Sequence, residues 1–182
     1  MPTTLTKSVK LKDQSTQAGV RAIGVGAFNS TNRIVTTPTG VTDLATYFPA
    51  TSIARLEVKN TTTNYVETGI SGGDNRNVGY NGAITVFFSE PKGAELEIAN
   101  LMTQLTKYEN VIFLEYYDGT VKAIGSQNGA LASAPIYNSG GTIGDFKGGQ
   151  ITINTMEADL SSLYILTGDA LTDYATALKT YV

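Results

Sequence analysis

The sequence predicts a mainly β protein of the α+β class: an antiparallel β-sandwich or barrel with one flanking α-helix at about 93–107, an N-terminal arm and a short C-terminal helix. Three observations predict it. Runs of β-branched and aromatic residues alternate with stretches rich in Gly, Thr and Asn, a mixture that favours strands and turns. An Asp-Gly pair, Asp118-Gly119, lies between two such runs, the strongest short-range hairpin signal. The clearest helical stripe in the chain follows Pro91-Lys92-Gly93. The 182 residues suit a single domain, with an arm at about 1–20 and an extension at about 168–182.

Element by element, "VRAIGVGAFN" (Val20 to Asn29) reads as a strand whose glycines let another backbone come close. "IVTTPTG" (Ile34 to Gly40) is a strand end and turn, with Pro38 stopping the ladder. "TDLATYF" (Thr42 to Phe48) is one helical turn. "SIARLEVKN" (Ser52 to Asn60) alternates as a half-buried strand, with Ile53, Leu56 and Val58 nearly on one face. Thr61 to Gly82 reads as a long polar, glycine-rich loop with a short strand at Tyr65–Thr68. It is too long for a simple hairpin connection, and loops of that length are functional or assembly elements.

"AITVFFS" (Ala83 to Ser89) is a buried strand. In the helix after Gly93, Ala94, Ile98, Leu101, Met102 and Leu105 form the inward stripe, with Glu95, Glu97, Asn100 and Gln104 outside. Glu95 and Glu97 in the first turn and Lys107 at the end match the helix dipole. Strands at Val111–Tyr117 and Val121–Gly125 flank the Asp-Gly turn, and "NSGGTIGDFKGGQ" is turn-rich. "ITINTMEADL" alternates Ile151, Ile153 and Thr155 against Thr152, Asn154 and Met156. The last helix is expected to be capped by Asp169, with Leu171, Ala175, Leu178 and Val182 on its apolar side.

Absences narrow the chemistry. The chain has no Cys, His or Trp. The usual zinc, iron–sulfur, haem and copper sites therefore lack ligands, and thiol proteases and Ser-His-Asp hydrolases lack their reactive groups. "IGVGAFNS" and "ISGGDN" lack the spacing of a phosphate loop, and neither has the strand–glycine–helix context of a dinucleotide site. Glu157 and Asp159 share a strand side, but a glycosidase needs two carboxylates across a cleft with aromatic platforms. Phe87, Phe88, Phe113, Tyr116 and Tyr117 lie in strands, as core or subunit-interface residues. "NTT" at Asn60 matches a glycosylation sequon without a secretion signal beside it. No catalytic set, cofactor site or metal site is expected, and no membrane helix.

Charge is unevenly spread. The net charge is −3. Lysines and arginines lead before Asp43, and acids dominate from Glu90 onward. That pattern is either ordinary solvated surface or a basic arm suited to an acidic neighbour, usually another copy. "GSQNG" (Gly125 to Gly129) raises its own choice between a ligand loop and a turn.

The order of helix, "NVIFLEYYDGTVKAIGSQNGAL", "NSGGTIGDFKGGQ" and "ITINTMEADLSSLYIL" resembles the major tail proteins (tail tube subunits) of tailed phages, particularly those of Bacteroidetes-type bacteria. The resemblance covers about residues 83–166; the C-terminal "TGDALTDYATALKTYV" is not part of it. It implies a virion structural protein, not an enzyme. Such subunits form stacked, usually hexameric rings, join other virion tail proteins, and are assembled in the bacterial host cytoplasm. Double-stranded DNA would pass through the lumen without specific binding, and no membrane is involved. "GSQNG" would then be turn chemistry. On this reading Tyr65, Ser71, Asp74, Arg76, Asn77 and Tyr80 belong to an inter-subunit loop. Glu90, Glu109, Glu115, Asp118, Glu157 and Asp159 would supply partly solvated lumen acids that repel phosphate. The alternatives are another phage structural protein (head decoration, neck or ring, tail terminator) or a non-catalytic carbohydrate- or surface-binding β module.

Overall fold

Eight strands and two helices make up the computed structural model, which describes residues 19–30, 33–37, 39–58, 63–71, 78–89, 93–139 and 147–179. The strands are β1 (Val20–Ala27), β2 (Ala54–Glu57), β3 (Asn64–Ser71), β4 (Val78–Ser89), β5 (Asn110–Tyr116), β6 (Val121–Ile124), β7 (Ala130–Asn138) and β8 (Gly148–Glu157). The helices are α1 (Glu95–Lys107) and α2 (Asp169–Ala177), and Ser161–Tyr164 forms one short helical turn. The expected arm falls on residues 1–18, outside those described, and so do Pro38 and Val182.

All the pairings between these strands are antiparallel, in the order β2-β1-β5-β7-β8-β4-β3, with β6 also on β5. β5 meets β7 only through Asn110 and Ala130, because β6 takes the rest of that edge. This waist divides the sheet into two leaves, β2-β1-β5-β6 and β7-β8-β4-β3. The sheet is open, so the architecture is sandwich-like and not a barrel.

Strand periodicity explains the two cores. Along β5, Ile112 and Leu114 face one side and Val111 and Phe113 the other, and all four are buried. The first core joins Ile23, Ile112 and Leu114 to Ile84, Val86, Phe88, Ile151 and Ile153 of the other leaf, with Ile98 and Leu105 of α1. The second lies on the opposite side of β5, where Leu44, Phe48, Ile53, Tyr164, Leu166 and α2 cover Val111 and Phe113. α1 buries the stripe expected of it: Ile98 and Leu105 are buried, and Leu101 and Met102 pack alongside.

Four expectations need correction. Thr61 to Gly82 is mostly β3 and β4, paired from Asn64↔Thr85 to Ser71↔Val78, so the connection shrinks to residues 72–77, which are not described. Its glycines mark strand positions: a Cβ on Gly82 would come within 2.4 Å of Thr155 Oγ1 and 2.5 Å of the Tyr65 hydroxyl. Ile53 lies in the second core and Val58 in the first, so they do not share a face. β7 was not anticipated, since Pro135 interrupts its run; the register shifts there, between Ser133 and Ile136. Finally, α2 is preceded by Gly168 with no side-chain cap, and it buries Ala170, Tyr174 and Ala177, not the Leu171–Ala175 side. That helix completes the second core and is no appendage.

Candidate functional site

Three features of the surface and its supports merit a functional reading: a carboxylate beneath a groove, a carboxylate inside a turn, and an open sheet face.

The first is built around Glu115, on the second-core side of β5 and 3% exposed. Arg55 of β2 reaches over β1 and donates from Nε to Oε1 and from an η nitrogen to Oε2, both at 2.8 Å. Arg21 donates to Oε2 at 3.1 Å and the Tyr174 hydroxyl to Oε1 at 2.7 Å. Burial alone would raise the Glu115 pKa, but the hydrogen bonds from Arg55, Tyr174 and Arg21, with the Arg55 charge, bring it below the ordinary value. The same bond to Glu115 raises Arg55, and burial followed by the Glu115 charge raises Tyr174. Small residues on β1 make the arrangement possible: a Cβ on Gly24 would sit 2.5 Å from the Tyr174 hydroxyl. β1 is thus approached by an aromatic side chain where a backbone was expected. Above the cluster lies an open groove of about 410 Å³, lined by Arg21, Arg55, Glu115, Val121, Leu171, Tyr174, Ala175, Leu178 and Lys179.

The second feature answers the question of "GSQNG". Glu157, at the end of β8 and 4% exposed, accepts the backbone N–H of Gln127 at 3.2 Å. Burial pushes its pKa up to about 7, against the opposing pull of the Gln127, Gly125 and Ser126 backbone amides. The loop's amides are therefore directed at the protein's own carboxylate. Gln127 also bonds Asp159 Oδ2 at 2.8 Å and the Tyr164 hydroxyl, and Asn128 donates to the Met156 carbonyl at 2.7 Å. Gly125, at φ 71°, leaves no room for a Cβ, which would lie 2.7 Å from the Ala130 backbone nitrogen. This is a tied structural turn.

The third is the outer face of the β7-β8-β4-β3 leaf. Register puts Val66, Thr68 and Ile70 of β3, Asn81, Ala83, Thr85 and Phe87 of β4, Gln150, Thr152, Asn154 and Met156 of β8, and Leu131, Ser133 and Ile136 of β7 on it. None of these side chains is charged. Met156 is 62% exposed, Ile136 59%, Val66 52% and Leu131 46%. Among the described residues no strand pairs with the outer side of β3.

The residues expected at functional positions divide sharply. Glu115 and Glu157 are buried, which removes them as partly solvated lumen acids; each is drawn inward by amide or guanidinium donors that one sequence position cannot reveal. Glu109, Asp118 and Asp159 are exposed, at or beside turns and off the uncharged face. Asp118 is held below its usual pKa, chiefly by the Thr120 backbone N–H at 2.8 Å. Glu90, Asp74, Arg76 and Asn77 lie outside the described residues. Tyr65 and Tyr80 are half-buried strand residues and not loop residues, and Ser71 ends β3. The Tyr65 hydroxyl lies 3.3 Å from Glu67, which also takes the Ser161 backbone N–H and hydroxyl.

Sequence reasoning missed Arg55, Tyr174 and the pairing role of Arg21, because the register that sets Arg55 opposite Gly24 joins segments far apart in the chain. Among the described residues no group of three or more acids could hold a metal ion, and no helix is long and apolar enough to cross a membrane. Comparison with known protein families, with curated proteins and with solved structures gives no match.

Proposed function

We propose that this chain is a non-catalytic, self-assembling structural subunit of a phage tail tube, stacking as rings around a channel for DNA. One observation carries the reading: an open, uncharged sheet face that ends in an edge with no strand paired to it among the described residues. Solitary proteins blunt such edges with short strands, lysines, prolines or bulges. β2, at the other end of the sheet, has four residues and carries Arg55 and Glu57. β3 has eight, runs in unbroken register, and holds one charged residue, Glu67, whose carboxylate bonds to Ser161. An edge of that kind continues a sheet into the next subunit.

Of the six acids expected in the lumen, Glu115 and Glu157 are buried, so on this reading the lining would be less acidic than first expected. Turned toward a bore, the Thr, Asn and Gln of this face would offer phosphate no cation to hold it, so passage needs no ring of carboxylates. Buried Glu115 and Glu157 serve the fold.

Negative-stain microscopy of the purified protein tests the proposal. Rings or tubes of uniform diameter are expected. A monomer that persists at high concentration, with no ordered assembly, overturns it; rings that never stack favour a neck or terminator part.

A further inference from the structure

α2 has two apolar sides and the described residues cover only one. Ala170, Tyr174 and Ala177 enter the second core. Leu171, Ala175 and Leu178, the stripe that the sequence presents most plainly, line the groove above Glu115, with Leu171 39% exposed and Ala175 open to solvent. The groove's rim is basic. Arg21 keeps half its side chain in solvent, and Lys179 is exposed with no carboxylate partner among the described residues. A walled apolar trough with cations at its mouth is suited to an apolar side chain flanked by carboxylates.

The chain itself carries such a group. At the start of α1, Leu96 is 70% exposed, and Glu95 and Glu97 beside it are also exposed. Leu96 is the most exposed of the large apolar side chains among the described residues. It lies on the outward side of α1, which packs into the first core, while the groove belongs to the second core across β1 and β5. The knob therefore cannot fill the groove of its own molecule.

We infer that the Glu95-Leu96-Glu97 turn of one copy docks in the Leu171–Ala175–Leu178 groove of the next, with its carboxylates against Arg21 and Lys179. The contact joins two different surfaces, so it is heterologous: repeated, it closes into a ring or runs on as a filament. The inference rests on the reading that the chain self-assembles, and it names one joint of that assembly.

The absence of native cysteine gives a direct test. Leu96→Cys and Leu171→Cys are placed together in one chain, and separately in two preparations that are then mixed. Oxidation requires the two sulfurs to come within disulfide reach. The double variant should give a ladder of disulfide-linked oligomers on a non-reducing gel, and the mixed single variants a dimer. In parallel, Lys179→Glu should raise the concentration needed for assembly about tenfold or more, and adding Glu97→Lys should largely restore it. All four sites are exposed, so unchanged circular dichroism is the control for folding. No ladder from a chain whose wild type forms rings or tubes overturns the joint and leaves the tube reading standing. Wild-type protein that is monomeric throughout overturns both. Cross-linking to an added acidic peptide, without self-linking, assigns the groove to a foreign partner and also overturns the inference.

Discussion

Glu115 and Glu157 are two buried glutamates with opposite effects on stability. Glu115 is matched by donors and its folded pKa is lowered. Its contribution is thus present above the unfolded value and lost as pH falls through the folded one. Glu115→Ala would take from Arg55, whose side chain is 12% exposed, its buried acceptor and leave it the exposed Glu57, and would remove the carboxylate to which Arg21 and the Tyr174 hydroxyl also donate. We expect a loss of about 3–5 kcal/mol in urea unfolding, and a much smaller loss when Glu115→Leu is combined with Arg55→Met. A loss below about 1 kcal/mol for the single change would mean that water replaces the carboxylate freely. Glu157 works the other way. Its pKa rises from 4.5 to about 7, so the unfolded chain releases its proton first, and stability falls as pH rises between those values. Glu157→Gln retains an oxygen acceptor for the Gln127 N–H. It should gain about 1–3 kcal/mol over wild type at pH 8, with the gain shrinking toward pH 5. A pH-independent difference would assign the effect to packing.

At the level of elements, turns and close approaches set the geometry. Gly119, in the turn between β5 and β6, and Gly125, just after β6, both have positive φ, 85° and 71°. Around Gly119 a Cβ would meet nothing within 4 Å, whereas at Gly125 it would meet Ala130 at 2.7 Å and the Asn110 carbonyl at 2.8 Å. Gly119→Ala should therefore cost only backbone strain, about 1 kcal/mol. Gly125→Ala should cost clearly more, about 3 kcal/mol or above, because the waist between the leaves must also open. Thermal melting of the two variants separates these outcomes, and equal losses would show that the Ala130 contact yields easily. Asn110 adds to the reason: it is fully buried at that waist and ties Gln104 and Tyr108 at the end of α1 to β5. Helix, turn and both leaves meet there.

For the whole molecule the decisive asymmetry is between the two ends of the sheet. β2 is short and charged, and β3 is long and nearly free of charge. Lysine on an exposed edge is one of the usual devices against strand addition. Val66 is 52% exposed on the open face, so Val66→Lys should change stability by no more than about 0.5 kcal/mol. On the proposed reading it should abolish rings and tubes while leaving a folded monomer, as read by sedimentation velocity and circular dichroism. Normal tubes from this variant would place the subunit contact elsewhere on the molecule.

Local patterns in the sequence determined much of this protein. Strand runs, the Asp118-Gly119 hairpin, the inward stripe of α1 and the alternation of β8 follow from periods of two and 3.6 residues and from turn chemistry that acts over a few neighbours. What distant segments meet was decided only in three dimensions. Leu171 and Ala175 form the natural apolar side of the last helix, yet Tyr174 is buried, because Gly24 leaves space for its ring and Glu115 accepts its hydroxyl from 59 positions away. Likewise an acid in an acidic half of the chain reads as a solvated charge. Glu115 and Glu157 are buried because guanidinium groups and backbone amides from other elements converge on them. A charge leaves water only where such donors replace its hydration, and their convergence is a property of the packed fold.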